Sequence, residues 1–272
     1  MNVVNQAAAV FFSPSHTSRK ITQAFLRGTG LPAEEYDLTL PAARGNLISL
    51  PADALVVLCA PVYGGHTVRL FMDELTRVHG QGNPAVIISV YGNRHYDRAL
   101  QDLYAGAVSC GLKPFAWGTF LGEHSFTSEI LTGRPDADDL ALAEQFGRQA
   151  AAGFSSAVTL KAEDIPGRDV DYAMIGMHGQ RLGHLTPNRP FPSENCTHCG
   201  ICAAVCPLGL INPHDSNDIR EECMKCGACV KLCPEHAMRF PQEAFRIVQD
   251  DCISEFGSDV NHPQFFINSL PE

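Results

Sequence analysis

Apolar and polar positions alternate in blocks along the first 156 residues, and these blocks predict strands separated by helices. Residues 7–13 form a continuous apolar run, as expected of a strand buried on both faces, whereas residues 17–28 show helical spacing. The same reasoning predicts strands at 36–40, 54–60, 85–91 and 115–121, and helices at 68–78, 96–110 and 138–154. Five strands joined by helices favour an α/β domain with a parallel sheet and right-handed crossovers.

The pattern changes after residue 156. Glycine and proline interrupt residues 157–189 repeatedly, which predicts an extended linker, and a short cysteine-rich segment follows at 190–241. Residues 242–272 contain too many apolar side chains for a disordered tail. The predicted organisation is a first domain at 1–156, a linker at 157–189, a small domain at 190–241 and a tail at 242–272 that packs on the domains.

Eight of the eleven cysteines lie between positions 196 and 233, in two copies of the motif C-x-x-C-x-x-C-x-x-x-C-P. The first copy contains Cys196, Cys199, Cys202 and Cys206, and the second contains Cys223, Cys226, Cys229 and Cys233. In bacterial ferredoxins with this spacing, three cysteines of one copy ligate one cluster and the fourth ligates the other cluster. The motif therefore predicts two [4Fe-4S] clusters.

Two other uses of cysteine fit this motif poorly. Structural zinc needs only two C-x-x-C pairs, without a third cysteine at the same spacing or a closing Cys-Pro. A disulfide framework needs an oxidising compartment, and no secretory signal is evident in the sequence. The three cysteines outside the motif, Cys59, Cys110 and Cys252, are expected to be small buried apolar residues.

Three loops follow predicted strands at the edge where open parallel sheets bind ligands. The loop at 13–19 brings four hydroxyl groups to a helix N-terminus, where free N–H groups and the helix dipole favour phosphate. A simple capping turn would need only one hydroxyl. The loops at 61–65 and 91–96 combine tyrosine with glycine, which suits a planar ligand. Together, the three loops favour FMN.

The chain resembles flavodoxin–ferredoxin fusion proteins over nearly its full length. Residues 1 to about 154 are similar to flavodoxins, notably at 12–14, 61–65, 90–94 and 122–126, and residues 190–240 resemble a bacterial two-cluster ferredoxin. The resemblance implies a five-stranded parallel sheet in the order 2-1-3-4-5, followed by a small α+β ferredoxin domain.

The resemblance also implies the residues that hold each cofactor. The FMN phosphate would be bound by Ser13, Ser15, His16, Thr17 and Ser18. One side of the flavin ring would be lined by Pro61, Val62, Tyr63 and Gly64, and the other by Tyr91, Gly92, Asn93, Arg94 and Tyr96. One cluster would be held by Cys196, Cys199, Cys202 and Cys233, and the second by Cys223, Cys226, Cys229 and Cys206. His16 replaces a glycine usual in flavodoxin phosphate loops, so a positive φ there would be strained.

The charge distribution bears on possible partners. The net charge is −10, and residues 157–272 hold 9 Lys and Arg against 16 Asp and Glu. An acidic surface disfavours nucleic acid and anionic membranes and favours a redox partner with a basic docking surface. Apolar runs are too short to cross a bilayer, so we expect a cytoplasmic protein without membrane insertion, and either a monomer or a homodimer is compatible with the sequence.

Two clusters transfer single electrons, whereas a flavin accepts one or two. The sequence therefore predicts an electron-transfer protein of anaerobic metabolism. One alternative is an FMN-dependent reductase of a small organic substrate, with Arg94, His95 or His124 as proton donors or anion anchors. Another alternative is a ferredoxin with a flavin-free docking domain. No G-x-G-x-x-G motif follows a predicted strand, so direct oxidation of NAD(P)H has no sequence support.

Overall fold

The computed structural model describes residues 4–170, 189–220 and 222–269, without the side chains of 242–244. Residues 171–188 of the predicted linker thus lie outside the described residues. The helices are α1 (Thr17–Thr29), α2 (Arg69–Leu75), α3 (Ala99–Ser109), α4 (Ala137–Gly153), α5 (Ile201–Ala204), α6 (Ala228–Lys231) and α7 (Gln242–Phe256). The strands are β1 (Gln6–Phe11), β2 (Ala33–Asp37), β3 (Ile48–Ser49), β4 (Ala54–Tyr63), β5 (His66–Thr67), β6 (Val78–His79), β7 (Pro84–Tyr91), β8 (Lys113–Leu121), β9 (Phe191–Pro192), β10 (Ile211–Asn212), β11 (Asp215–Ile219), β12 (Met238–Arg239) and β13 (Gln264–Ile267).

The main sheet is built on five parallel strands in the order β2-β1-β4-β7-β8. Counted along the chain, this order is 2-1-3-4-5, and the predicted α/β fold class is confirmed. Two short additions were not predicted: β13 pairs antiparallel with β8, and β5 forms a hairpin with β4. Strand β2 starts three residues before the prediction, because its exposed, glutamate-rich sequence gives no apolar signal.

The strands are buried on both faces and separate two apolar layers. Ala8 and Val10 of β1 face the layer that contains Phe71 of α2 and Leu100 of α3. The intervening residues of β1 face the opposite layer, which contains residues of α1 and α4 such as Phe25 and Phe146. Because helices cover both faces, the loops at the carboxyl ends of the strands are left to form a site.

The cysteine-rich segment repeats its backbone conformation as well as its sequence. Helices α5 and α6 each begin directly after a glycine with positive φ. Positive φ angles recur at three pairs of equivalent positions: His198 and Lys225, Gly200 and Gly227, Gly209 and His236. The paired hairpin β10–β11 and the pair β9–β12 complete this small domain.

The C-terminal tail contacts both parts of the chain. In helix α7, Phe245, Val248 and Cys252 pack with Ile130 of the first domain and Phe240 next to the cysteine motif. After a turn, β13 extends the edge of the main sheet. The two domains are therefore joined by a shared apolar cluster.

No helix among the described residues combines the length and the apolar character needed to cross a bilayer.

Candidate functional site

A cavity of about 340 Å³ opens at the carboxyl ends of β1, β4 and β7. Eleven of the predicted flavin-site residues line it: Ser13, Ser15, Thr17, Ser18, Pro61, Val62, Tyr63, Gly64, Tyr91, Gly92 and Arg94. The three other predicted residues, His16, Asn93 and Tyr96, are not part of its wall. The fold thus brings together residues from three loops that are far apart in the sequence.

The loop before α1 forms one end of the cavity. His16 stands at the helix N-cap with φ of 64°, as expected for the position usually occupied by glycine, and its side chain does not cap the helix. Ser13 Oγ accepts a hydrogen bond from the backbone N–H of Arg19 at 2.9 Å, and the hydroxyls of Ser15 and Thr17 are 3.1 Å apart. This end therefore concentrates hydroxyl groups and helix N–H groups, which is an anion-binding arrangement.

Ser18 has an unusual hydroxyl group. Ser18 lines the cavity, but its side-chain oxygen is shielded from solvent and has no hydrogen-bond partner among the residues described. A buried hydroxyl without a partner costs about 1–3 kcal/mol.

The two tyrosine loops form the middle of the cavity. Tyr91 is only 6% exposed and meets Tyr96 edge to face, with ring centroids 5.7 Å apart. Tyr96 also stacks on His95, so it supports the wall from behind rather than facing the cavity. At Gly92 a Cβ atom would come within 2.6 Å of His124 Cδ2. This glycine is therefore required for packing against His124.

Asn93 connects the third loop to the C-terminal tail. Its side-chain Nδ2 donates to the backbone oxygens of Phe256 and Asp259, and its Oδ1 accepts from the backbone N–H of Asn261 at 2.9 Å. The residue is buried and has φ of 70°. Asn93 thus holds the end of α7 against the cavity.

Arg94 and His95 belong to a buried charged cluster around Asp97. The Asp97 carboxylate is fully buried, pairs with Arg94, and accepts from Arg168 Nε at 2.7 Å. Two guanidinium groups thus compensate its charge. His95 Nδ1 accepts the backbone N–H of Asp97 at 2.8 Å. In the neutral ring, the proton must therefore sit on Nε2.

Burial and the charges of Arg168 and Arg94 lower the pKa of His95 to about 4. The ring is consequently neutral at neutral pH and can donate a hydrogen bond, but it does not supply a proton as an imidazolium. Burial raises the pKa of Tyr91 to about 12, so this tyrosine also remains neutral.

Thirteen further residues line the wall. Nine belong to the three predicted loops or to stretches of the flavodoxin resemblance: Pro14, Gly65, Val90, His95, Gly122, Glu123, His124, Ser125 and Phe126. Four come from parts of the chain that sequence reasoning did not connect with the site: Met224, Lys225, Cys252 and Phe256. The stretch 122–126 was a usable signal, because it belongs to the flavodoxin resemblance. Nothing in the sequence indicated that the second cysteine motif and α7 would also contribute.

The eight motif cysteines line two separate small cavities. Cys206, Cys223, Cys226 and Cys229 surround one, and Cys196, Cys199, Cys202 and Cys233 surround the other. Each set contains three cysteines of one motif copy and the last cysteine of the other copy. This is the crossed grouping that the resemblance implies.

Burial shapes the chemistry of these thiols. It raises the pKa of Cys226 to about 12 and raises that of Cys229 strongly, with neighbouring thiolates adding to the effect. Four thiolates so close together and so little solvated need a bound positive centre to compensate them.

The second cysteine set, formed by Cys206, Cys223, Cys226 and Cys229, lies next to the cavity at the carboxyl ends of the strands, which is called the large cavity below. Met224 lines both cavities, and Lys225 lines the larger one. At Gly227, a Cβ atom would approach the backbone oxygen of Ser125 to 2.7 Å, so the two domains are in direct backbone contact here. Lys231 also pairs with Glu123 across the interface.

Comparison with known proteins supports the assignment of the small domain. Residues 195–238 match the family model described as a 4Fe-4S dicluster domain. A search of curated protein sequences gave no match.

Similar solved structures cover the first half of the chain. A flavodoxin from the domain Archaea has 14% identity and a TM-score of 0.39, with 54% of this chain and 96% of that chain covered. A Streptococcus pneumonia TIGR4 flavodoxin has 17% identity and a TM-score of 0.39, covering 54% and 98%. The flavodiiron protein from Giardia intestinalis has 16% identity and a TM-score of 0.38, covering 56% and 36%. At these scores, the sheet order is the stronger evidence for the fold.

A flavodoxin-type parallel sheet followed by a 4Fe-4S domain defines a redox protein. The combination agrees with the predicted resemblance to flavodoxin–ferredoxin fusion proteins.

Proposed function

We propose that this protein transfers low-potential electrons between redox partner proteins through two [4Fe-4S] clusters and one FMN. The observation that supports this proposal best is the shared wall between the large cavity and the second cysteine cavity. Met224 belongs to both walls, so a flavin-sized site and a set of four cysteines share a wall residue. Electrons would then pass between the two cofactor sites within one chain.

The cysteine sets suit iron–sulfur clusters. Each set offers four sulfur ligands, and backbone N–H groups donate to some of these sulfurs, as Lys225 does to Cys223 Sγ at 3.3 Å and Ala237 to Cys233 Sγ at 3.3 Å. Such hydrogen bonds tune the reduction potential of a bound cluster. The thiolates of Cys196, Cys199, Cys202 and Cys233 would hold one cluster, and those of Cys206, Cys223, Cys226 and Cys229 the other.

The large cavity suits FMN. The hydroxyls of Ser15 and Thr17 and the N-terminus of α1 offer donors for a phosphate at one end, while Tyr63 and Tyr91 lie in the wall beyond it. When bound there, a flavin supplies a centre that exchanges one or two electrons. The protein's contribution is to bind the phosphate, exclude water from the ring and hold the second cysteine loop in place.

The alternative of a reductase is less well supported. Its candidate proton donor His95 is neutral at neutral pH because of its lowered pKa. Phe256 of α7, Met224 and Lys225 also complete the wall of the cavity, so part of its border is formed by the tail and the small domain. The alternative of a flavin-free docking domain gives no reason for the grouping of the Ser15 and Thr17 hydroxyls with helix N–H groups at one end of the cavity.

Acidic residues outnumber basic ones in the second half of the chain, so we expect the partner to dock through a basic surface. Association should therefore weaken as salt is raised.

Anaerobic purification with counts of iron, sulfide and flavin tests the proposal. We expect about eight irons and one FMN per chain. Reduced protein should then pass electrons to a basic redox protein without consuming a small organic substrate. Zinc in place of iron, or no flavin after reconstitution, would exclude the proposed electron route. Substrate-dependent oxidation would instead support the reductase.

The crossed cysteine sets lead to a sharper test. Replacing Cys206→Ala should damage the cluster held by Cys223, Cys226 and Cys229 and spare the other, leaving about four irons per chain. Cys233→Ala is the mirror-image control and should damage the other cluster. Because Cys206 belongs to the set beside the large cavity, only Cys206→Ala should slow reduction of the flavin by its adjacent cluster. Loss of the cluster of its own motif copy in either variant would contradict the crossed arrangement.

A further inference from the structure

Lys225 lies between the motif cysteines Cys223 and Cys226. Among the described residues, this is the only short loop between two motif cysteines whose residues line the large cavity. Its backbone N–H donates to Cys223 Sγ at 3.3 Å, and its φ is 55°. The residue is partly buried between the two cofactor sites. The cysteine loop therefore fixes the backbone of Lys225, and the residue also lines the large cavity.

The charge of Lys225 acts on the cysteine set. Lys225 lies two residues after Cys223 and directly before Cys226, so its positive charge is held close to these sulfur ligands. The other cationic side chain of the cavity wall, Arg94, is paired with the buried carboxylate of Asp97. Lys225 takes part in none of the ion pairs between described residues. Its charge thus adds to the potential at both sites.

We propose that Lys225 places one positive charge between the second cysteine set and the flavin cavity, so that electrons added to either site are stabilised by the same ammonium group. The inference rests on the function proposed above. Transfer of two electrons, one from each reduced cluster, with one proton from water reduces one flavin and adds one negative charge to the cavity. A nearby cation favours that reduced, more negative form over the oxidised form.

The duplicated motif provides a matched control. His198 stands at the equivalent position of the first copy and has the same left-handed backbone, with φ of 53°. It lies next to the first cysteine set and is not part of the large cavity's wall. A substitution at His198 therefore perturbs an equivalent loop without changing the charge at the flavin site.

The test uses the full chain, loaded with iron–sulfur clusters and FMN. Lys225→Met removes the charge, Lys225→Arg retains it, and His198→Met controls for loop perturbation. For each protein, fluorescence titration gives the affinity for oxidised FMN, and spectroelectrochemistry gives the midpoint potential of bound flavin relative to free FMN. The difference between the bound and free potentials gives the ratio of the affinities for reduced and oxidised FMN, and the titration then gives each affinity. Iron counts verify that the clusters are retained, and Lys225→Gln replaces Lys225→Met if that variant loses iron.

We expect Lys225→Met to lower this affinity ratio about tenfold, the order of magnitude for one partly solvated charge near the flavin. For a two-electron couple, tenfold corresponds to about 30 mV. Lys225→Arg and His198→Met should stay within about twofold of the unchanged protein, and higher salt should reduce the difference. An unaltered ratio in Lys225→Met with normal FMN and iron contents would overturn this inference alone. No FMN binding by the unchanged protein would overturn the proposed flavin function and this inference together.

Discussion

Individual residues with positive backbone φ angles cluster around the candidate site. His16, Asn93 and Asp97 adopt φ angles of 64°, 70° and 42°, although none of them is glycine. Such conformations cost of order 1 kcal/mol or more each and persist only where the surroundings enforce them. Asn93 is held in this conformation by its hydrogen bonds to the tail, and Asp97 is held by its ion pairs in a buried charged cluster. At His16 the constraint comes from the turn into α1.

His95 predicts a specific dependence of stability on pH. Burial holds its pKa at about 4 in the folded protein, whereas an unfolded histidine titrates near 6.5. The unfolded state thus takes up a proton first, and the stabilisation present above pH 6.5 is lost as the pH falls towards 4. We expect about 1 kcal/mol less free energy of unfolding at pH 5 than at pH 7 from this residue, after allowing for its partial exposure.

Urea denaturation of the wild-type protein and of His95→Asn at the two pH values measures this effect. Asparagine can accept the same N–H of Asp97 through a local turn but does not titrate. The variant should therefore lose about 1 kcal/mol less than the wild-type protein between pH 7 and pH 5. Identical pH dependence in the two proteins would show that His95 is not kept neutral by folding.

At the scale of elements, helix α7 and strand β13 connect the first domain with the small cysteine-rich domain, which the sequence pattern predicted as separate units. The helix packs Phe245 and Cys252 against Phe126 and Ile130, and the strand adds to the edge of the main sheet beside β8. Between them, the turn at 257–261 is held by Asn93. The tail is thus part of the wall around the large cavity rather than a separate appendage.

Asn93→Gly tests this connection. Glycine adopts positive φ readily, so the loop keeps its shape while the side-chain hydrogen bonds to Asp259 and Asn261 are lost. Losing these bonds should cost about 2 kcal/mol locally, which corresponds to roughly thirtyfold faster hydrogen exchange in the turn. Asn261→Ala keeps the backbone N–H that donates to Asn93 and removes only the bonds from Asn261 Nδ2 to Asn93, so its effect should be smaller. Unchanged exchange at 256–261 in both variants would mean that the turn is held by other contacts.

At the scale of the whole molecule, the contact between the domains determines how the two kinds of site communicate. The backbones of Gly227 and Ser125 are in direct contact. Arg44 Nη2 donates a hydrogen bond to the backbone oxygen of Pro207 at 2.5 Å, and Lys231 forms an ion pair with Glu123. These contacts surround the second cysteine set rather than the first. The second set is consequently the one that lies beside the flavin-type cavity.

Gly227→Ala and Gly200→Ala form a matched pair that tests the interface. Both glycines have φ near 75°, so alanine imposes a similar local strain at each, of order 1 kcal/mol. Only at Gly227 would the new Cβ meet the other domain, 2.7 Å from the Ser125 oxygen; at Gly200 it would lie 3.3 Å from the Pro213 oxygen within the small domain.

We expect Gly227→Ala to weaken FMN binding about tenfold, because Ser125 of the cavity wall must move, and Gly200→Ala to change it less than about twofold. Flavin fluorescence titration of both variants measures the difference. Equal affinities would show that the flavin site does not depend on the domain contact.

The sequence determined the features that follow from local spacing. The apolar runs of β1, β4 and β7 and the helical spacing of α1 and α4 predicted the parallel sheet, because burial on both faces leaves a recognisable pattern. The duplicated cysteine motif predicted the iron–sulfur domain, because a cluster needs ligands at fixed spacing. Loop composition also indicated most of the cavity wall contributed by the first domain.

Only the tertiary structure decided which distant segments of the chain are in contact. The wall positions of Met224, Lys225 and Phe256 depend on contacts between segments more than one hundred residues apart, and no local periodicity encodes such contacts. Asn93 shows the same limit: its position in a glycine-containing loop indicated a flavin contact, whereas the fold turns its side chain towards the tail. The cysteine motif by itself indicated two clusters. The second cysteine set lies beside the large cavity because the two domains pack against each other there, and the sequence does not encode this packing locally.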